Sequence, residues 1–169
     1  MCGKTTTAKQ IANSILYMNN PESIEQNLLL SKLLPKKLLE GLKPRLIDEW
    51  QLAPKLWDAI RFDLDESSEF WQYILTGSSL PVNRKEITHS GTGRFTWIKM
   101  RTMSLFESEE LNGTVSLKQL FDNKEISGIS TLSLDQFAHI ICRGGWPLSL
   151  DLNPDLSLDL AKDYYDAVV

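Results

Sequence analysis

Two acidic residues, Asp48 and Glu49, directly follow the short apolar run Leu46-Ile47. An apolar run of this length behind the turn residue Pro44 favours a buried β-strand. A carboxylate at the end of such a strand is costly unless a cation or a solvent-facing crevice compensates it. Ligands of open α/β sheets bind outside the carboxyl ends of the strands. The pattern therefore favours an α/β fold with a ligand site at this tip, and the alternative is a strand that simply ends in two exposed acids.

A second feature, at the amino end, has phosphate-binding chemistry. Gly3-Lys4-Thr5 matches the second half of the loop pattern G-x-x-x-x-G-K-[ST]. In that loop, backbone N–H groups and a helix N-terminus converge on phosphate oxygens. Lys4 would reach the β- and γ-phosphates, and the Thr5 hydroxyl would be a Mg²⁺ ligand. Taken alone, the tripeptide is more often a solvated stretch of chain.

The order of the two features makes them more specific together than apart. A predicted helix and a predicted strand separate Gly3-Lys4-Thr5 from the acid pair, as in P-loop ATPases that place a catalytic glutamate beside the second acid motif. In that layout Asp48 holds Mg²⁺ through water, and Glu49 polarises the attacking water as a general base. ATP and Mg²⁺ are the cofactors that this layout predicts.

Two further groups of polar residues follow predicted strands or lie on loops. Thr76, and as second choice Ser78, would hydrogen-bond a γ-phosphate or the attacking water from the tip of the next strand. A polar turn that only caps the strand is an equal alternative. Arg94 follows two glycines and would reach a phosphate bound by this or a neighbouring subunit. An arginine that only caps the loop is the commoner outcome.

Strand-like and helix-like segments alternate along the first part of the chain, which predicts an α/β layered fold. We expect a P-loop NTPase-like three-layer sandwich with a mostly parallel sheet, followed by C-terminal helices. Strands are predicted in 14–18, 45–50, 70–75 and 95–100. Helices are predicted in 5–12, in 22–39 with a break near Pro35, after Pro54, and in 105–110, 116–121, 133–142 and 162–169.

Composition narrows the classes of function. The formal net charge of −4 gives no basic field for nucleic acid, so nucleic acid is unsupported without being excluded. The two cysteines, Cys2 and Cys142, lack the spacing of a metal site or a disulfide framework, which fits a reducing cytoplasm. No apolar run approaches the ~18 residues that span a bilayer, so we expect no membrane partner.

Six blocks of the sequence, in this order, resemble a family of prokaryotic AAA-type ATP-binding proteins. They are Gly3-Lys4-Thr5-Thr6, Arg45-Leu46-Ile47-Asp48-Glu49-Trp50-Gln51 with Ala53-Pro54, Ile74-Leu75-Thr76-Gly77-Ser78, His89-Ser90-Gly91-Thr92-Gly93-Arg94, Met103-Ser104-Leu105-Phe106-Glu107-Ser108, and Cys142-Arg143-Gly144-Gly145-Trp146-Pro147. Members of this family resemble archaeal-type ATPases and carry a second, C-terminal domain of suspected nuclease-like character. The resemblance covers nearly the whole chain.

The resemblance implies ATP binding and Mg²⁺-dependent hydrolysis. It implies that Lys4 and Thr5 bind phosphate and magnesium, that Thr6 lies near the α-phosphate, and that Arg94 is an arginine finger. It also implies an ATPase core in 1–103 and a helical segment in 104–169 that leads into the C-terminal domain. Whether the protein forms a homo-oligomer remains open.

Compared with this family, both ends of the sequence look cut. The family's first strand and the opening glycine of the phosphate loop are missing, and the last residues stop near the start of the C-terminal domain. Three readings of the function therefore remain open. They are an ATP-hydrolysing domain, a nucleotide-gated switch with little turnover, and an inactive truncated fragment.

Overall fold

A computed structural model of the protein describes residues 2–67, 69–78, 91–122 and 124–168. The chain forms two compact units. One is Lys4–Lys99, and the other combines Met1–Gly3 with Met100–Val169. His89 and Ser90, which belong to one of the six sequence blocks, lie outside the described residues.

The first unit contains a three-stranded parallel sheet. Its strands are β1 (Ser14–Tyr17), β2 (Arg45–Asp48) and β3 (Tyr73–Thr76), in the order β1-β2-β3. The register pairs Tyr17 with Asp48 and Asp48 with Thr76. The carboxyl ends of the three strands therefore lie side by side, which confirms the predicted parallel α/β sheet.

In the described part of this unit, four α-helices accompany the sheet. They are α1 (Lys4–Lys9), α2 (Ile24–Leu33), α3 (Pro35–Leu39) and α4 (Lys55–Glu66). Pro35 stands in the first turn of α3, where its missing N–H costs nothing, and it separates α3 from α2 as predicted. The helix predicted after Pro54 is α4, so the order of helices and strands up to β3 is confirmed.

The core of this unit surrounds β2. Successive strand residues point to opposite faces, and both Leu46 and Ile47 are fully buried, so both faces of β2 are covered. Ile47 packs into a cluster whose buried members are Met18, Leu38, Leu39, Trp50, Ala53, Leu56, Trp57 and Ile60. Helix α1 packs against β2 and β3. Packing thus fixes the position of the acid at the tip of β2.

The third strand begins later than predicted. The predicted strand covers 70–75, but β3 starts at Tyr73, and Phe70 and Trp71 are more than four-fifths exposed. The Arg45 N–H donates to the carbonyl of Gln72, 2.9 Å away, and this bond opens the ladder. The backbone of Pro44, one residue earlier, is directed at β1 instead, where its carbonyl accepts from the Asn13 N–H at 2.8 Å, so it offers residues 70 and 71 no hydrogen bond.

The strand predicted in 95–100 is wrong. Within the part of the chain that the structure describes, these residues form no strand. Phe95 instead stacks on Trp57, with 3.7 Å between ring centroids, while Trp97 and Ile98 are mostly exposed. The alternation of large residues indicated a strand, but a strand also needs a neighbouring edge with which to pair.

The second unit is helical. It contains α5 (Leu117–Phe121), α6 (Leu134–Arg143) and α7 (Pro154–Val168). The helices predicted in 116–121 and 133–142 are confirmed, and the helix predicted in 162–169 begins eight residues earlier, at Pro154. Ser116 and Ser133 cap α5 and α6 in capping boxes. In the described ranges, no helix combines the length and the apolar character that crossing a membrane requires.

The helix predicted in 105–110 is wrong, because turns occupy this segment. The Glu107 carboxylate accepts hydrogen bonds from both the backbone N–H and the hydroxyl of Ser104, each 2.8 Å long. Glu109 then adopts a left-handed backbone with φ of 60°, which no α-helix continues. The polar side chains of this segment therefore satisfy its backbone locally instead of through a helix.

An ion pair links this turn segment to the end of α6. The Arg143 guanidinium donates to both carboxylate oxygens of Glu110 at 2.8 and 2.9 Å, and its side chain is 8% exposed. Ser108 donates to the same carboxylate at 2.6 Å. Burial alone would raise the pKa of Glu110, but the hydrogen bonds from Arg143 and Ser108 outweigh it and hold the pKa below its ordinary value.

We expect Arg143→Ala to destabilise the second unit by about 2 kcal/mol, because it leaves the Glu110 carboxylate without its main partner. A carboxyl with a lowered folded pKa adds stability that is present above its unfolded pKa and is lost as the pH falls through the folded one. The loss should therefore shrink as the pH falls through the lowered pKa of Glu110, because the protonated carboxyl no longer carries the charge that Arg143 binds. Hydrogen exchange of the α6 amides measures this loss of stability, and a variant at the exposed Arg101, Arg101→Ala, is the control. Equal exchange rates in Arg143→Ala and the unchanged chain would contradict the assignment.

Candidate functional site

The carboxyl end of the sheet brings three separated residues together. The Thr5 hydroxyl donates to Asp48 Oδ1 at 2.8 Å, and the Thr76 hydroxyl donates to the same oxygen at 2.6 Å. Thr5 belongs to α1, whereas Asp48 and Thr76 are paired residues at the ends of β2 and β3. The structure therefore joins the two residues that the sequence predicts as magnesium ligands.

Asp48 is a buried carboxylate with two hydroxyl donors. It is 6% exposed and Thr76 is 8% exposed. Hydrogen bonds of this kind offset the cost of burying the charge. Thr76 thus holds Asp48 in place, a contact that the sequence did not predict. Its predicted role toward a γ-phosphate or water stays a prediction, and its hydroxyl oxygen keeps lone pairs with which to accept.

Glu49 has an unusual backbone. Its φ of 56° and ψ of 40° lie in the left-handed region, which costs about 1–3 kcal/mol for a residue with a side chain. A short 3-10 helix, Trp50–Leu52, follows directly, and the buried Trp50 side chain anchors it. The Glu49 carboxylate accepts from the Ser78 hydroxyl at 3.2 Å. Glu49 therefore leaves the line of β2 while Asp48 remains on it.

The residues predicted to bind phosphate lie at the start of α1. Gly3, directly before this helix, has φ of +80°, a conformation that glycine adopts without strain. Lys4 is the first residue of α1 and is half-buried, and Thr6 is exposed. Since Thr5 touches Asp48, this helix start faces the carboxylate at the tip of β2.

A family model described as AAA domain matches residues 1–109, well over half of the chain. The chain belongs to the AAA domain family. The family supports a P-loop domain of AAA type that binds nucleotide, in agreement with the parallel sheet and the contact between Thr5 and Asp48. No curated protein and no solved structure is similar enough to count as a match.

Arg94 of the AAA domain binds an acid on α4. Its Nε donates to Asp65 Oδ1 at 2.6 Å, and the same carboxylate pairs with Arg61. The backbone N–H of Arg94 donates to the carbonyl of Gly91 at 3.0 Å, which closes a turn. The loop is therefore held on α4, and the partner Asp65 is a residue that sequence reasoning missed.

Gln51 is the second residue that sequence reasoning missed. Its amide nitrogen donates to the Glu49 carboxylate and lies 3.3 Å from the Ser78 hydroxyl. It stands two residues after Glu49 in the same sequence block. That position is the one signal that could have drawn attention to it, because a lone glutamine has no diagnostic pattern.

The oxygen atoms at the tip of β2 fit a magnesium ion. Mg²⁺ prefers hard oxygen ligands, and in proteins it commonly takes one or two from side chains and the rest from phosphates and water. Thr5 and Asp48 supply one hydroxyl and one carboxylate. Among the residues that the structure describes, no group of three His, Cys, Asp or Glu side chains could hold a metal. One hydroxyl and one carboxylate would leave the other Mg²⁺ positions to phosphate oxygens and water.

Proposed function

We propose that the AAA domain binds ATP with Mg²⁺ and hydrolyses it to ADP and phosphate. The observation that carries the proposal is the hydrogen bond between Thr5 and Asp48, because it unites a phosphate-loop hydroxyl with an acid from another strand. Chance resemblance to either short motif would not bring their side chains together. Family membership independently supports nucleotide binding.

Each residue has a distinct task in this proposal. The Lys4 ammonium neutralises charge on the β- and γ-phosphates, and Gly3 and Thr6 hold the phosphate chain on either side of it. Thr5 would hold Mg²⁺ directly and Asp48 would hold it through water, and Thr76 orients Asp48. The bound Mg²⁺ supplies positive charge to the phosphate oxygens. Glu49 accepts the proton of the attacking water, and Ser78 orients that carboxylate.

We propose that Arg94 acts on the phosphate of a neighbouring subunit in a homo-oligomer. The Arg94 side chain is about half exposed, and Asp65 binds it at Nε. A phosphate would compete with this carboxylate for the same planar donor group. Asp65 therefore sets the direction in which Arg94 points before a partner approaches.

Replacing Thr5 by Val tests the magnesium ligand. Val keeps the shape of Thr and removes the hydroxyl. We therefore expect the ratio of ATP affinity with Mg²⁺ to ATP affinity without it to be about tenfold smaller than in the unchanged chain. Calorimetric titration with ATP, in Mg²⁺ and in a chelator, measures this enhancement.

Thr7→Val is the matched control, because Thr7 lies on the same helix with its side chain exposed. It should bind MgATP within about twofold of the unchanged chain. Equal losses in Thr5→Val and Thr7→Val would show that α1 is merely destabilised. An unchanged chain that binds no ATP at all would overturn the proposed function.

A further inference from the structure

The Gln51 side chain lies between Glu49 and Ser78. Its Nε2 donates to Glu49 Oε2 and lies 3.3 Å from the Ser78 hydroxyl, which itself donates to Glu49 Oε2. The three side chains thus form a closed ring of hydrogen bonds. Because an amide nitrogen has two N–H donors, Gln51 can serve both partners at once.

The contact with Glu49 fixes the orientation of the Gln51 amide. If the amide were reversed, its oxygen would face a carboxylate oxygen, and two acceptors would repel each other. The amide oxygen, Oε1, is buried and has no hydrogen-bond partner within the described part of the chain. An unsatisfied buried acceptor costs free energy, so the hydrogen bonds of the Gln51 nitrogen must offset the cost of leaving Oε1 without a partner.

Gly77 makes room for the same amide. A Cβ atom built on Gly77 would lie 2.2 Å from Gln51 Oε1 and 3.1 Å from its Cδ. Any other residue would displace the glutamine side chain. The position of Gln51 therefore depends on a glycine at the tip of the neighbouring strand as well as on its own hydrogen bonds.

The ring occupies one oxygen of the Glu49 carboxylate. Both Gln51 and Ser78 donate to Oε2, and among the described residues no donor binds Oε1. A general base needs one oxygen free to accept a proton while the other is held. The ring meets this requirement, since it fixes Oε2 and leaves Oε1 for water.

We propose that Gln51 is a positioning residue for ATP hydrolysis. It holds Glu49 Oε2, so that Oε1 faces the attacking water, and it touches neither nucleotide nor metal. The inference rests on the proposed function, because it requires Glu49 to act as the base. It adds a residue that the phosphate-loop and acid motifs do not contain.

The main test replaces Gln51 by Met, which keeps the length of the side chain and removes the amide. We expect kcat for ATP hydrolysis to fall about tenfold, while KM and the calorimetric Kd for MgATP stay within about twofold. Gln26→Met, an exposed residue of α2, is the control and should leave both constants unchanged. A merely structural defect would lower the melting temperature and weaken ATP binding as well.

Two further variants separate positioning from folding. In a Glu49→Gln background, adding Gln51→Met should cause no further loss, because Gln51 acts through Glu49. Gly77→Ala should reproduce the loss in kcat although Glu49 and Gln51 themselves are unchanged. In a chain that already carries Gln51→Ala, Gly77→Ala should have no added effect on kcat.

Failure of the inference differs from failure of the proposed function. Suppose that the unchanged chain hydrolyses ATP and that this turnover depends on Glu49. If Gln51→Met then has the same kcat as the unchanged chain, the inference alone is overturned. A parallel rise in KM and Kd in Gln51→Met also overturns it. An unchanged chain without Glu49-dependent turnover overturns both.

Discussion

Glu49→Gln should lower kcat for ATP hydrolysis by about a hundredfold or more, while the chain still binds MgATP with nearly its original affinity. The amide keeps the size of the carboxylate but cannot accept the proton of the attacking water. Since Thr5 and Asp48 are untouched, the contacts proposed to hold nucleotide remain. Phosphate release at saturating ATP, together with calorimetric titration, measures both quantities.

The exposed Glu66→Gln is the matched control, because Glu66 lies at the end of α4 and its ion-pair partner among the described residues is the exposed Lys36. Its kcat should equal that of the unchanged chain. A Glu49→Gln variant that retains full turnover would show that another group accepts the proton. A chain that binds ATP but turns over no faster than Glu49→Gln would be a nucleotide-gated switch instead of an ATPase.

Lys4→Met should weaken ATP binding about 10- to 100-fold, because it removes one charge-assisted contact with the phosphates. AMP lacks the β- and γ-phosphates that Lys4 is proposed to contact, so its affinity should change little. Competition between ATP or AMP and a fluorescent ATP analogue measures both affinities.

Lys9→Met serves as the control for Lys4→Met. Lys9 ends the same helix, is exposed, and lies over the ring of Tyr17 with its ammonium 5.1 Å from the centroid. The Lys9→Met substitution removes one positive charge from α1, as Lys4→Met does, but at the end of the helix far from Gly3. Equal weakening by the two variants would mean that overall charge, and not a specific contact, governs ATP binding.

The sequence predicted the strands whose patterns are local. The apolar run Leu46-Ile47 follows Pro44-Arg45 and ends in acids, so its assignment needed no knowledge of neighbours. The sequence also predicted that Thr5 and Asp48 serve the same Mg²⁺, which stays a prediction, and the structure places their side chains in contact. These parts of the account depend on periodicity and topology alone.

The errors share a different cause. Residues 95–100 alternate like a strand, yet pairing depends on a neighbouring edge that no local pattern encodes. In 105–110 the bonds between Glu107 and Ser104 replace a helical turn. Gln51 was missed because its role arises from the positions of Glu49, Ser78 and Gly77, which only the fold brings together. The predicted domain boundary after residue 103 stays a prediction.

The central claim is that a metal–triphosphate complex sits between α1 and the tip of β2, and its location can be measured directly. Mn²⁺ in place of Mg²⁺ broadens nearby nuclear resonances, so MnATP should remove the methyl signals of Thr5 and Thr76. The methyl signals of Leu38 should broaden less, because its carbonyl binds Arg45 at the opposite end of β2. MnATP that binds while the signals of Thr5 and Thr76 stay sharp would contradict the account.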